Sequence, residues 1–200
     1  MNLARRLAPM LSIKKIEVQN WIFTTVNAWT ILDNGKTARL NSGQIEAWQE
    51  LKSTSNKRSA STGKYYYEVL VSKYNVGDAQ AIRIGIIDSN DFVTFASHGM
   101  IIRKANTLIQ YMDATAGNPS VHRWGVGDVI GCSIEPASGG NTNVRFYING
   151  VDAGYNKNPF LIEGVRPSEI YARGYRNNNT RDIELKNQDL KYLPTGFEPW

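Results

Sequence analysis

The sequence contains few side chains that could catalyse a reaction. Its two histidines, His98 and His122, fall in segments expected to be loops, and no Gly-x-Ser-x-Gly turn is present to expose a serine nucleophile. The single cysteine, Cys132, alternates with Ile130 and Ile134. A thiol among apolar neighbours packs as a small hydrophobe, whereas a reactive thiol needs an electropositive, partly exposed setting. These patterns predict a buried cysteine and solvated histidines.

Two other patterns resemble parts of enzymes. The glycines of "GVGDVIG" (125–131) are spaced like those of a phosphate loop, but the segment enters a predicted strand, whereas a phosphate site needs a helix N-terminus. Asp182 and Glu184 would share a strand face about 7 Å apart, which is within the range that glycosidases use. Acidic pairs of this kind are also common on solvated strand edges. We predict a protein that is not an enzyme, with no cofactor and no metal site.

Composition and charge argue against a disulfide-rich protein, a membrane-spanning protein and a nucleic-acid-binding protein. The 200 residues are 42% hydrophobic and 20% charged, which fits one globular domain. The lone cysteine excludes an internal disulfide and a multi-cysteine zinc site. The net charge is +5 without a run of five or six basic residues, so a nucleic-acid partner is not expected. Neither a membrane-spanning segment nor a secretory signal is predicted, because the apolar stretches are short.

From Trp21 onward the hydrophobic periodicity is close to two. The segment "WTILDNGKTARLN" (29–41) predicts a hairpin whose Asn34-Gly35 pair suits a type I′ turn. The segment "GQIEAWQELKS" (43–53) favours a strand, although its charge pattern is also compatible with a helix. Five further short segments alternate in the same way: "STGKYYYEVLVSK", "AIRIGIID", "DVIGCSIE", "NVRFYING" and "RDIELKN". This spacing of strands predicts an all-β sandwich of two antiparallel sheets, over residues 21–200.

The first twenty residues differ from the rest and are treated as an arm, residues 1–20. Apolar residues recur at helical spacing, but Pro9 permits only a short or broken helix. Two interpretations stay open: a frayed terminus, or an assembly arm that docks on another subunit. The residues that would make that contact are Arg5, Arg6, Leu7, Met10 and Leu11.

The run "GKYYYEVLVS" (63–72) makes a sharper structural prediction. Alternation places Tyr65, Tyr67, Val69 and Val71 on one face, which is uniformly core-like. The opposite face carries Tyr66, Glu68, Leu70 and Ser72, a mixed set that is typical of a face partly covered by another segment. We expect Tyr66 and Glu68 to anchor this cover through packing and a hydrogen bond.

Several of these segments together resemble the SPRY domain family. They are "GKYYYEVLV", "AIRIGIID", "WGVGDVIGCSIE", "VRFYINGVDAGY" and the closing "LPTGFEPW", in the family's order and over about residues 30–200. The resemblance implies a twisted two-sheet sandwich of jelly-roll type, related to concanavalin-like lectin folds. It also implies a binding module without catalysis, whose loops at one end of the sandwich recognise a partner.

Residues for partner binding are expected where aromatic and arginine side chains fall in predicted loops, because these types are enriched at binding hot spots. They are Tyr74, Phe92, Arg123, Tyr175 and Arg176. An alternative is that Phe92 or Tyr175 closes the end of the core. Trp124 is expected to be such a lid.

Three settings for such a module follow from the sequence. The chain starts at methionine and carries a short basic arm without companion modules, which favours a decoration or tail subunit of a virus particle such as a bacteriophage, located in the virion and bound to other virion subunits. The first alternative is a cytoplasmic adaptor that recognises a peptide. The second is a lectin-like domain that binds or hydrolyses a glycan.

Overall fold

A computed structural model describes the fold of most of the chain after residue 20. The described residues are 21–24, 28–41, 47–53, 63–74, 82–88, 91–96, 99–104, 107–112, 124–153, 160–162, 169–176 and 182–200. The arm, His98, His122 and Arg123 lie outside these ranges.

Strands account for nearly all of the described secondary structure. They are β1 (Phe23–Thr24), β2 (Trp29–Leu32), β3 (Thr37–Leu40), β4 (Ala47–Ser53), β5 (Tyr65–Tyr74), β6 (Ile82–Asp88), β7 (Asp91–Ala96), β8 (Gly99–Lys104), β9 (Thr107–Met112), β10 (Val129–Pro136), β11 (Thr142–Ile148), β12 (Val151–Asp152), β13 (Phe160–Ile162), β14 (Glu169–Arg176), β15 (Ile183–Asn187) and β16 (Glu198–Pro199). The segment 43–53 thus contains a strand, as favoured from its alternation. Among the described residues, no helix is long and apolar enough to cross a membrane.

The strands form two sheets, which confirms the predicted all-β sandwich. The seven-stranded sheet has the order β1-β4-β14-β6-β7-β8-β9, and the nine-stranded sheet has the order β12-β11-β10-β5-β15-β3-β2, with β13 beside β11 and β16 beside β5. Among the described strands, every pair is antiparallel except β16 with β5, which is parallel. Several neighbouring strands, such as β14 with β4 and β10 with β5, come from distant parts of the sequence, so long-range pairing also holds the sandwich together.

Two hairpins turn where asparagine and glycine adopt positive φ angles. After β2, Asn34 (φ 54°, ψ 40°) and Gly35 (φ 88°) occupy the centre of the turn, and the Lys36 amide donates to the Asp33 carbonyl over 3.1 Å. This geometry is that of the predicted type I′ turn. Asn149 and Gly150, with φ angles of 51° and 79°, join β11 to β12.

The core lies between the inner faces of the sheets. Tyr65, Tyr67, Val69 and Val71 of β5 all belong to it, and Cys132, directly opposite Tyr67 on β10, is fully buried. Burial raises the pKa of the Cys132 thiol far above its ordinary value, so the predicted role of this residue in packing is confirmed. Trp124 is 3% exposed and packs near Phe95, as expected for a lid on the core.

The other face of β5 is covered by residues 188–197, which we call the crossing segment. It leaves β15, passes over Tyr66 and Glu68, and returns to pair β16 with the start of β5. The Glu68 carboxylate accepts hydrogen bonds from the backbone amides of Lys191 (2.9 Å) and Tyr192 (2.7 Å), and from the Tyr66 hydroxyl (3.1 Å). The predicted anchoring by Tyr66 and Glu68 is therefore confirmed, and both residues are fully buried.

Candidate functional site

The outer face of the seven-stranded sheet carries a group of aromatic and charged side chains. Because Ile82, Ile84 and Ile86 of β6 point into the core, Arg83 between them points outward. Arg173 of β14 is the direct cross-strand partner of Arg83. We call the set around these two arginines the outer arginine cluster; its members are Trp48, Glu50, Arg83, Phe92, Tyr171 and Arg173.

Aromatic rings hold both guanidinium groups in place. The Arg83 guanidinium carbon lies 3.9 Å from the Trp48 ring centroid, and that of Arg173 lies 5.1 Å from the same ring. Arg173 also lies over Phe92, at 5.3 Å. Such cation–π contacts contribute about 0.5–2 kcal/mol each, and more as water is excluded. The two cations are thus oriented by rings rather than by carboxylates.

A second set of contacts fixes the rings themselves. Phe92 stacks on Tyr171 with ring centroids 5.3 Å apart and an interplanar angle of 25°. The Tyr171 hydroxyl donates to the Glu50 carboxylate over 2.8 Å. Phe92, Tyr171 and Ile87 form an apolar cluster separate from the main core. The carboxylate of Glu50 is therefore engaged with a phenol, although Glu50 is the cross-strand partner of Arg173.

The electrostatics of the cluster are unbalanced. Arg83 is only 5% exposed, and the Nε atoms of Arg83 and Arg173 are both enclosed without a hydrogen-bond acceptor. Within the part of the chain that the structure describes, neither arginine forms an ion pair with a carboxylate. Burial, with a further contribution from the charge of Arg173, lowers the pKa of Arg83 to about 10. At neutral pH this side of the sheet therefore holds two positive charges that have no ion-pair partner among the described residues.

This arrangement suits binding of an anion. Guanidinium groups present planar, fork-like donors that match carboxylates and phosphates, and hydrogen bonds between charged groups are about twice as strong as neutral ones. Two half-buried charged residues, Lys52 and Glu169, share the face by register with Tyr171. Among the described residues, no group of three or more histidine, cysteine or acidic side chains is placed to hold a metal ion.

Four of the five residues predicted to bind a partner lie in strands rather than in loops, which corrects that placement. Tyr74 ends β5 and is 7% exposed within the main core. Its inward orientation follows from a bulge: β15 pairs Glu184 with Lys73 but Leu185 with Val71, which skips Ser72 and shifts the alternation. Phe92 lies in β7 and is 2% exposed, buried in the outer arginine cluster.

Of the other three residues predicted to bind a partner, two also lie in a strand and one lies outside the described residues. Tyr175 and Arg176 are the last two residues of β14, opposite Trp48 and Ala47, rather than in a loop. Arg123, together with Arg5, Arg6, Leu7, Met10 and Leu11, lies outside the described residues, and these assignments stay predictions.

The carboxylates considered for glycoside hydrolysis are both held in ion pairs. Glu184 accepts from the Arg39 guanidinium at 2.5 and 2.9 Å and from the Ser72 hydroxyl at 2.8 Å. The bond from Arg39 is the main reason that the pKa of Glu184 falls to about 2. Asp182 pairs with Lys73 at 2.5 Å. A general acid for glycoside cleavage needs a raised pKa, so Glu184 does not suit that role.

Solved structures with a similar fold were found for this chain. Neither a protein-family model nor a curated protein matches the sequence. Among solved structures, the SPRY domain of human HERC1 is similar with a TM-score of 0.53 and 14% identity, over 82% of this chain and 96% of that chain. A second human SPRY domain is similar with a TM-score of 0.51 and 18% identity, over 82% and 94%. The resemblance predicted from the sequence is thereby confirmed in three dimensions: the chain has the fold of SPRY domains.

Proposed function

We propose that the chain is a non-catalytic protein-binding module that uses the outer arginine cluster as its contact surface. The observation that carries the proposal is the pair of ring-held arginines at the centre of this face, which have no ion-pair partner in the described part of the chain. Arginine, tryptophan and tyrosine are the residue types most enriched at binding hot spots. Of these types, the cluster places the half-buried Trp48 and Arg173 on the neighbouring strands β4 and β14.

The energetic pattern of the face supports binding rather than structural stabilisation. Holding Arg83 buried beside Arg173 costs free energy, because each cation loses water and repels the other. A site that lowers the stability of the free protein in this way regains that free energy when a complementary partner arrives. The surrounding rings and paired strands keep the arginines in position, so little side-chain entropy is lost on binding.

Site-specific photo-crosslinking tests the proposal. A photoreactive phenylalanine analogue at Lys52 lies on the same face as the cluster, and the matched control position is Val151 of β12, which is 70% exposed on the other sheet. We expect one discrete protein to be crosslinked from position 52 and not from position 151. The crosslink should weaken when Trp48→Ala removes the ring that holds both arginines. Equal crosslinking from both positions, or none from position 52, contradicts the proposal.

For the biological setting, we propose a structural subunit of a virus particle, either a decoration or a tail protein. Its support is the pattern of the arm, in which the adjacent Arg5 and Arg6 lie among apolar residues at helical spacing that suit docking on another subunit. The test is the composition of purified particles. The protein should be present in fixed stoichiometry in virions, and its absence from them, with free monomer in cells, would favour the cytoplasmic adaptor instead.

A further inference from the structure

The partner's chemistry is indicated by what the two central arginines lack. Their β-carbons, as direct cross-strand neighbours, are about 5 Å apart, and like charges in this arrangement are destabilising. The Arg83 side chain is 95% buried by residue surface, and its Nε donor has no acceptor. The described residues therefore leave a site with several unused donors in one place.

We propose that Arg83 and Arg173 together bind a carboxylate of an acidic segment in the protein partner. This inference rests on the proposed function and names the group that the module recognises. One carboxylate has two oxygens with about four acceptor sites, so it can accept from both guanidiniums at once. It would neutralise the pair of charges.

The shape and charge of the surroundings favour an acidic peptide over a free anion. The half-buried Trp48 ring, which lies over both guanidinium groups, provides apolar contact area beside the charged centre, which a peptide can cover and a small ion cannot. The chain as a whole carries a net charge of +5, which steers acidic partners toward it. Glu50 and Glu169 also lie on this face, and Glu50 is hydrogen-bonded to Tyr171. These two acidic residues limit the extent of the positively charged region.

The experiment compares two synthetic peptides and inorganic phosphate as probes of the full chain. One peptide alternates aspartate with glycine and tyrosine, and the other has asparagine in place of every aspartate. Binding is followed by calorimetry at low and moderate salt. We expect the acidic peptide to bind at least tenfold more tightly than its amide counterpart, with an affinity that falls as salt is raised.

Variants assign the binding to the two arginines. Arg83→Met and Arg173→Met keep much of the side-chain volume and should each reduce affinity for the acidic peptide at least tenfold. Arg145→Met is the matched control: Arg145 lies on β11 of the other sheet, ion-paired with Asp152, and its loss should leave affinity within twofold. Circular dichroism and thermal unfolding show whether each variant keeps its fold. Arg83→Lys keeps the positive charge but lacks the planar, two-pronged donor geometry of a guanidinium, so it should also lose most of the affinity.

The possible outcomes separate this inference from the proposed function. If phosphate binds in an arginine-dependent manner and the acidic peptide does not, the carboxylate assignment is overturned in favour of a phosphorylated partner. If the amide peptide binds as well as the acidic one, recognition of a carboxylate is refuted. In either case a crosslink from position 52 can persist, and the proposed function stands; loss of that crosslink would refute the proposed function independently.

Discussion

The most informative stability prediction concerns Glu68, which anchors the crossing segment. Glu68→Ala removes the acceptor of the Lys191 and Tyr192 amides and of the Tyr66 hydroxyl at a fully buried position. Hydrogen bonds to a charged acceptor contribute about 1.5–3 kcal/mol each, and an orphaned buried donor costs a further amount of similar size. Allowing for water reaching the partly exposed segment, we expect a loss of about 3–5 kcal/mol in the free energy of unfolding.

The assay is equilibrium unfolding in urea followed by tryptophan fluorescence, combined with amide hydrogen exchange. Glu68→Gln retains one acceptor oxygen but places an amide NH₂ against a backbone N–H, so its loss should be about half as large. In both variants the amides of residues 191 and 192 should exchange faster than in the wild type. The matched control is Glu198→Ala, because this glutamate is exposed; it should cost less than about 0.5 kcal/mol.

One result would refute the reasoning about Glu68. If Glu68→Ala and Glu198→Ala lower the unfolding free energy by the same small amount, the carboxylate does not hold the crossing segment. Slow exchange at residues 191 and 192 in the variant would lead to the same conclusion, since it would require another acceptor for those amides.

Three further outcomes are expected. The pKa of Glu184 is lowered to about 2 in the folded state, so its ion pair stabilises the protein above the unfolded pKa near 4.5, and this contribution is lost as pH falls from 4.5 toward 2. With screening, the unfolding free energies of wild type and Glu184→Gln should differ by about 1–2 kcal/mol at pH 6 and converge near pH 2. A difference that stays constant with pH would contradict this prediction. Gly131→Ala places a β-carbon 2.2 Å from the Tyr66 hydroxyl and should lower the free energy of unfolding in urea by about 1–3 kcal/mol. The control Gly125→Ala, at a position with open space around it, should lower it far less. Equal losses in the two variants would refute the clash with Tyr66. The Cys132 thiol, buried and with a raised pKa, should react with a disulfide reagent only as fast as the protein unfolds, and rapid labelling of the native protein would show that it is accessible.

The scaffold was predictable from the sequence because its signals are local. Period-two alternation, Asn-Gly turns and the "KYYYEV" strand each depend on a few neighbouring residues, and all of them agree with the structure. Even the cover over Tyr66 and Glu68 could be inferred, since a buried glutamate on a strand face needs donors from another segment. What the sequence could not show was which segment supplies them, some 120 residues further along the chain.

The candidate site was not predictable for a related reason. Arg83 and Arg173 are 90 residues apart and each looks like the polar member of an alternating strand, in "IRIGI" and "YARGY". Their meeting depends on the sheet order that places β6 next to β14, and β14 next to β4 with Trp48. Reasoning from predicted loops therefore chose Tyr74, whose inward turn is set by a bulge, and overlooked the sheet face. Phe92 was predicted as a binding residue because it was expected in a loop, whereas in the structure its ring lies beneath the Arg173 guanidinium in a strand.

The ring of Tyr67 has a consequence for how this domain can be joined to other proteins. Trp21 and Trp200 each make an edge contact with it, at centroid separations of 6.1 and 6.2 Å, so the two ends of the described chain lie close together. The domain can thus be inserted as a unit into a surface loop of a host protein, or circularly permuted by joining residue 200 to residue 21, with both indoles still in place on the tyrosine.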